Sequence, residues 1–375
     1  MPGAGRRGPV EPRTGYGHGR RRGPSVSPPA REPVSCPSAE GQDAGDDRGG
    51  RRPDTIVLVA HLSAKGGRIA RAARAAAALF TANGFRATIL STESPATGTD
   101  EPSGAQGARA WGRPLRRCLA RSRGEGIAAV VAVGGDGMAH LVLNALLEHQ
   151  AQGGRALPFG LIASGSGNDL ARHWKTPHDD PEQAAGRILR RLDTGPAFMD
   201  VGQAAFDDGS RAWFATALCA GIDAAVNERA NRWRRPSGSL KYLIALVVEI
   251  VRHPPHRYGL EVTEAGRTRR REIEALMVNV ANTSSIGGGL RIVPRASATD
   301  GQLELFVVDP LTRLRFLRLF PSIYTGAHVR VPEVEISPAT RVRMTGKHVV
   351  YADGEPLGEL PVTITVLPAA LPVLL

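Results

Sequence analysis

The chain has 375 residues and a formal net charge of +12, from 48 Lys and Arg against 36 Asp and Glu, with only 5% aromatic residues. That length accommodates more than one domain. So few aromatics, with no basic and aromatic interleaving, argue against nucleic acid as partner of the positive charge, leaving nucleotide phosphates or an anionic membrane.

Residues 1–53 are rich in Gly, Pro and Arg and poor in apolar residues, the composition of a disordered basic tail. They hold no apolar core segment of a secretory leader. No apolar run reaches the ~18–20 residues of a membrane span, so no transmembrane segment is expected. The longest candidate, 242–251, is short and contains Glu249. Cys36, Cys118 and Cys219 are far apart and lack CxxC spacing, predicting neither a disulfide nor a zinc site. A cytoplasmic protein is expected, one that meets any lipid from the inner membrane surface.

Order begins with a buried-strand pattern at 55–59, followed by the loop AHLSAKGG at 60–67 and an Ala/Arg helix to about Ala82. A second strand is predicted at 85–90, a mobile loop at 95–112 and a basic helix at 113–123. The apolar run 127–133 then empties into Gly134-Gly135-Asp136-Gly137-Met138, with a helix starting near Met138. The run 159–163 empties into Gly165-Ser166-Gly167-Asn168-Asp169, and another helix follows to about Leu192. Strands alternating with helices spell an α/β domain with a parallel, Rossmann-like sheet over 54–195. From Phe198 the pattern changes to short alternating strands, at 257–264, 271–280, 303–308, 333–337, 342–344, 349–351 and 362–366 among others. This reads as an antiparallel β-sandwich over 196–375, whose last residues are free to pack back on the first domain.

The two glycine turns carry the chemistry. Glycines let a phosphate approach the main chain, and a helix N-terminus supplies free amide donors. Asp136 is unexpected among phosphates. It makes sense as a magnesium ligand through water, or as the group that takes a proton from an attacking hydroxyl. Neither turn is a Walker A loop or a Rossmann fingerprint. Asp353-Gly354-Glu355 and Asp300-Gly301-Gln302 are further acidic turns. His140 is expected to be partly exposed. Trp233 beside Arg232, Arg234 and Arg235, and 311–320 with Arg313, Arg315 and Arg318, are candidates for a membrane interface.

GGDG with its helix, followed by PFGLIASGSGNDLAR, resembles the diacylglycerol kinase catalytic-domain family, which includes bacterial lipid kinases and sphingosine kinases, with NAD kinases as distant relatives. DVGQ at 200–203, CAGIDAAV at 219–226, the stretch 282–305 and YADGEPL at 351–357 extend the likeness to the C-terminus. The family usually has threonine where Met138 stands, and an Asn-Pro in its first loop that is missing here.

The resemblance implies a nucleotide domain followed by a β-sandwich, with ATP and Mg2+ in the cleft between them. It implies transfer of the γ-phosphate of ATP to a lipid hydroxyl, diacylglycerol first. A sphingoid-type lipid, a soluble NAD-kinase-like reaction and a non-enzymatic nucleotide binder are the alternatives. ATP would be held by Gly134, Gly135, Asp136, Gly137, Met138, Gly165, Ser166, Asn168 and Asp169, with Thr92, Ser63 and Lys65. Asp353 is the favoured base, with Glu355 beside it; the sphingosine-kinase analogy gives the role to Asp136. Magnesium is implied at Asp300 with main-chain oxygens of Ser297 and Gln302, and at Asp169. The sequence leaves the oligomeric state open, a homodimer included.

Overall fold

Thr55–Ala60 (β1) is buried along its whole length, as a parallel strand covered on both faces must be. Its side chains alternate between two helical layers. Ile56 and Leu58 face a cluster with α1 (Arg68–Ala82), whereas Val57 and Val59 face the opposite one. The following elements are β2 (Arg86–Ser91), α2 (Arg113–Ser122), β3 (Ile127–Gly134), α3 (Asp136–Ala151), β4 (Phe159–Ala163), α4 (Asp169–His173) and α5 (Pro181–Thr194). The strands are parallel in the order β2-β1-β3-β4. Helices α1 and α5 cover one face, α2 and α3 the other. In this computed structural model the described residues are 53–92, 112–178, 180–233 and 239–375, all in one compact unit. The expected N-terminal tail and nearly all of the 95–112 loop lie outside them.

The second half supplies β5 (Ala197–Phe206), β6 (Arg211–Phe214), β7 (Ala217–Gly221), α6 (Ile222–Arg232), α7 (Ser239–Arg252), β8 (His256–Glu264), β9 (Arg267–Ala275), β10 (Met277–Ala281) and β11 (Leu303–Val308). After them come α8 (Arg313–Leu319), α9 (Ser322–Thr325), β12 (Val334–Ala339), β13 (Arg341–Thr345), β14 (Val349–Ala352), β15 (Glu355–Glu359) and β16 (Val362–Val373). Six strands form one sheet, β12-β11-β10-β7-β14-β15. The other, ten-stranded sheet runs β2-β1-β3-β4-β16-β13-β8-β9, with β5 on β16 and β6 on β5. The sheets pack through Leu218, Val280, Leu305 and Val350 against Tyr258, Leu260, Met344 and Ile364. The α/β class and the antiparallel second half are therefore as expected.

Strand β16 makes the large sheet continuous. Its first half pairs antiparallel with β13 and β5. After a register shift between Leu367 and Leu371, Val373 pairs parallel with Phe159 of β4. Asp200 clamps the shift: its Oδ1 accepts the Ala369 N–H at 2.7 Å and its Oδ2 accepts the Gly301 N–H at 2.6 Å. Beyond it Leu371, Val373 and Leu375 join the α2/α3 side of the core and Leu374 joins the α1/α5 side.

Two local expectations change. The single strand at 271–280 is two, β9 and β10, which lie in different sheets, because the chain crosses between them at Leu276. The strand pattern over 211–224 predicts a hairpin and its return, but β7 ends at Gly221 and 222–224 open α6. Because Leu374 is 1% exposed against Ile56, Ile162 and Ile188, Leu374→Ala should lower unfolding free energy by about 2–5 kcal/mol in urea melts. A change below about 0.5 kcal/mol would mean that the C-terminal return does not hold the sheet together.

Candidate active site

The two glycine turns lie at the carboxyl ends of β3 and β4, where open parallel sheets bind ligands. Their glycines are required by sterics. None of Gly134, Gly135, Gly137, Gly165 and Gly167 has a positive φ, so backbone conformation is not what requires glycine there. Instead the turns touch: a Cβ on Gly165 would stand 2.4 Å from the Gly135 Cα, and one on Gly167 would stand 2.6 Å from Asp136 Oδ2. Helix α3 begins at Asp136 itself, two residues earlier than expected. The Met138 side chain packs into the core behind the turn.

Asp136 and Asp169 join the turns. Asp136 Oδ1 accepts the Asp169 N–H at 2.8 Å. Asp169 does not cap its own short helix. Its two oxygens accept the N–H groups of Gly288 and Gly289, both at 2.8 Å, and so hold the 286–290 loop of the second half. Asn168 adopts φ 54°, and its Oδ1 accepts the Gly165 N–H at 2.9 Å, which closes the turn from within.

Asp353 belongs to the hairpin between β14 and β15, yet its carboxylate turns inward. It accepts from His140 Nδ1 at 3.0 Å, Ala215 N at 3.0 Å, Thr216 N at 2.8 Å and Thr216 Oγ1 at 2.5 Å. His140 and Asp353 side chains are each 3% exposed, so the expectation of a partly exposed histidine is corrected. Asn144 anchors the ring from the next turn, with Nδ2 lying 3.3 Å from His140 Nε2.

These surroundings separate the three carboxyls electrostatically. Burial, and after it the charges of Asp169 and Asp353, push Asp136 up to about 6. Burial also raises Asp169, against the opposing Gly288 and Gly289 donors. For Asp353 burial acts upward too, but the His140, Thr216 and Ala215 hydrogen bonds outweigh it and hold the carboxyl below its ordinary value.

All three aspartates open on one cavity of about 690 Å³. Its polar end is formed by the glycine turns, Ser166, Thr216 and Glu355. From there it runs between α6, α7 and the six-stranded sheet, past Cys219, Asp223, Val226 and Leu246, to Met277, Phe306, Phe316, Phe320 and Tyr324. Asp223, whose carboxyl burial pushes up to about 6, accepts from Asn279 Nδ2 at 2.6 Å midway along the wall. Among the described residues no lysine or arginine lines the cavity.

Other expected site residues lie outside it. Thr92 is buried at the end of β2, its N–H bonded to Ala60 O. Ser63 is exposed beside His61, and Lys65 falls in the one-turn segment Ala64–Gly67. Asp300 is exposed, and its Oδ1 accepts the Gln302 N–H; Ser297 pairs with Thr299. The buried carboxylate of that loop is Asp200, which accepts two main-chain N–H groups there and at Ala369. Among the described residues no three His, Cys, Asp or Glu side chains converge to hold a metal. The sequence reading missed His140, Thr216, Asp200 and Asp223, because each acts through a partner distant in the chain.

Residues 55–202 match the diacylglycerol kinase catalytic domain, and residues 216–375 match the YegS C-terminal NAD kinase beta sandwich-like domain. A Mycobacterium tuberculosis (strain ATCC 25618 / H37Rv) protein named diacylglycerol kinase is 39% identical over 264 residues, 69% of this chain and 80% of the relative. A Chromohalobacter salexigens protein named "Probable lipid kinase YegS-like" is 26% identical over 68% of this chain and 78% of its own. The fold is shared with the crystal structure of a diacylglycerol kinase from Bacillus anthracis str. Sterne, at a TM-score of 0.57 and 16% identity, covering 86% of this chain and 96% of that one.

The Asp136 carboxyl gives a stability test. Below about pH 6 it is protonated in the folded chain; above that, burial opposes its charge, so its cost is absent in acid and full at neutral pH. Asp136→Asn keeps an acceptor for the Asp169 N–H and removes the charge. It should raise Tm by about 1–3 °C at pH ~8, and the gain should vanish near pH ~4. A lower Tm at the higher pH contradicts the assignment.

Proposed function

Because the chain belongs to the diacylglycerol kinase family, a family of lipid kinases, we propose that it transfers the γ-phosphate of ATP to a lipid hydroxyl, diacylglycerol being the first candidate and phosphatidic acid its product. The observation that carries this reading is the division of the single cavity. One end offers glycine turns, helix α3's N-terminus and aspartates; the other offers an aromatic and aliphatic lumen wide enough for acyl chains.

In this reading the α3 N-terminus and the two turns receive the ATP phosphates. The lipid lies with its tails toward Phe306 and Phe320 and its hydroxyl toward the turns. Asp136 is the proposed base. Its carboxyl lines the cavity, held there by the Asp169 and Asn168 N–H groups, and a carboxyl near 6 matches proton transfer close to neutral pH. Asp136 takes the hydroxyl proton, the lipid oxygen bonds to the γ-phosphorus, and the bond to the β–γ bridging oxygen breaks, leaving ADP with the electron pair. Asp353, saturated by four donors, suits the base role less well than the sequence reading allowed. It is proposed as the positioning residue that ties Thr216, at the cavity wall, to the buried His140 behind it.

Buried carboxylates with no lysine or arginine among the described lining residues fit a divalent cation. With no three-ligand protein cage among the described residues, magnesium would be held chiefly by the phosphates and water, with Asp136 and Asp169 nearby. When bound it supplies neutralisation of phosphate charge. A lipid with a second polar group is the alternative acceptor, favoured by Asp223 and Asn227 in the wall.

The test is phosphorylation of lipids in mixed micelles by purified protein with labelled ATP and magnesium, offering diacylglycerol, monoacylglycerol, ceramide and sphingosine separately. Label should enter diacylglycerol, and Asp136→Asn should lower kcat by at least about 100-fold. Activity should fall about tenfold for each pH unit below about 6, as Asp136 gains its proton. Label in no lipid would overturn the reading. Retained activity in Asp136→Asn, with loss in Asp353→Asn, would return the base role to Asp353.

A further inference from the structure

Helix α7 has two apolar faces. Ala245, Leu246 and Ile250 are buried, and Leu246 lines the cavity. Ile244, Val247 and Val251, at positions i, i+3 and i+7, face water instead, the latter two 49% exposed. Helix α8 repeats the arrangement: Phe316 is buried, while Leu314 and Leu317 are 59% and 48% exposed. The end of α7 meets the start of α8, where Ile250, Arg252, Arg313 and Phe316 share a small cavity. Five large apolar side chains are thus exposed on two adjoining helices. Isolated exposed leucines are ordinary, but such a grouping marks an interaction surface.

Two further observations say what covers it. First, the catalytic cavity reaches the surface close by. Phe316, Phe320 and Tyr324 form a ladder with ring centroids 6.3 and 6.1 Å apart. All three line the cavity, yet Tyr324 is 57% exposed. Second, arginines predominate around the face, where Glu249 is buried against Arg229. No Asp or Glu occurs from Pro310 to Pro332, and Arg252, Arg313, Arg318 and Arg330 are exposed. Arg315 is committed to Glu333. Exposed aliphatics ringed by arginines, beside the mouth of an apolar lumen, match the chemistry of an anionic bilayer: acyl chains for the apolar side chains and phosphates for the guanidinium groups.

We infer that the outer faces of α7 and α8, with Tyr324, dock on an anionic phospholipid bilayer, so that a lipid enters the cavity from the leaflet without crossing water. This rests on the lipid-kinase reading and adds the surface and the membrane chemistry that it requires. Among the described residues no helix is long and apolar enough to cross a membrane, consistent with docking through these faces. Arg234 and Arg235 lie outside the described residues and take no part in the argument.

The test uses the full chain and two readouts. Co-sedimentation measures binding to vesicles of phosphatidylcholine alone or mixed with phosphatidylglycerol. Kinase assays compare long-chain diacylglycerol in those vesicles with dihexanoylglycerol dispersed as monomers. Wild type should bind the phosphatidylglycerol vesicles more tightly. Leu314→Ser with Leu317→Ser should weaken binding and slow long-chain turnover by about tenfold or more, while monomeric dihexanoylglycerol is turned over within about twofold of wild type. Arg313→Gln with Arg318→Gln should remove the preference for phosphatidylglycerol. Unchanged vesicle binding in the leucine variant overturns the inference. So does absence of wild-type vesicle binding together with a dimer, seen by light scattering, that the same substitutions dissociate. Vesicle binding that responds as expected, without phosphorylation of either lipid, sustains the docking face and rejects the kinase reading.

Discussion

The buried Asp353 carboxylate holds the polar end of the cavity together. It takes one hydrogen bond from His140 on the helix that follows the first glycine turn, and three from Ala215 and Thr216 at the start of β7. One carboxylate therefore fixes helix α3 against the six-stranded sheet. Losing any donor would leave part of a desolvated charge unpaired, which costs more than the lost bond alone. Asp169 makes a second tie of the same kind, from the other turn to the 286–290 loop. Of the three aspartates at the cavity, these two are occupied with joining parts of the protein. Asp136 binds within its own half, accepting the Asp169 N–H, and burial raises its carboxyl to about 6.

The same logic sets the sheet. Strand β16 stays antiparallel to β5 along its length and adds a parallel pairing to β4 at Val373, and Asp200 holds its register shift by accepting the Ala369 N–H and ties it to the Gly301 N–H. The boundary drawn from sequence at 195/196 thus falls inside one continuous hydrogen-bonded sheet. A cavity between the two halves can keep its shape when such a sheet and two carboxylate ties cross between them.

What the sequence revealed follows from the range of the interactions involved. Strands β1, β3 and β4, the two turns and the hairpin at Asp353 are written in local alternation and glycine spacing, and they were readable. The crossing at Leu276 was not, because strand-like residues continue on both sides without a glycine or proline. His140 shows no local sign of its role, since its partner lies 213 residues away. Asp200 went unrecognised for a similar reason: its buried clamp depends on the return of the C-terminus. The turn glycines were identified, but their reason is turn-to-turn contact, which no single turn displays.

The central claim is that the lipid's tails fill the apolar arm while its hydroxyl faces Asp136. The most direct measurement is photo-crosslinking with a diacylglycerol carrying a diazirine at the end of one acyl chain, followed by peptide mapping. The account predicts label on Leu246, Phe306, Phe316 or Phe320, lost on competition with unmodified diacylglycerol. Label confined to the outer residues Val247, Leu314 and Leu317, or spread over the surface without competition, would contradict it.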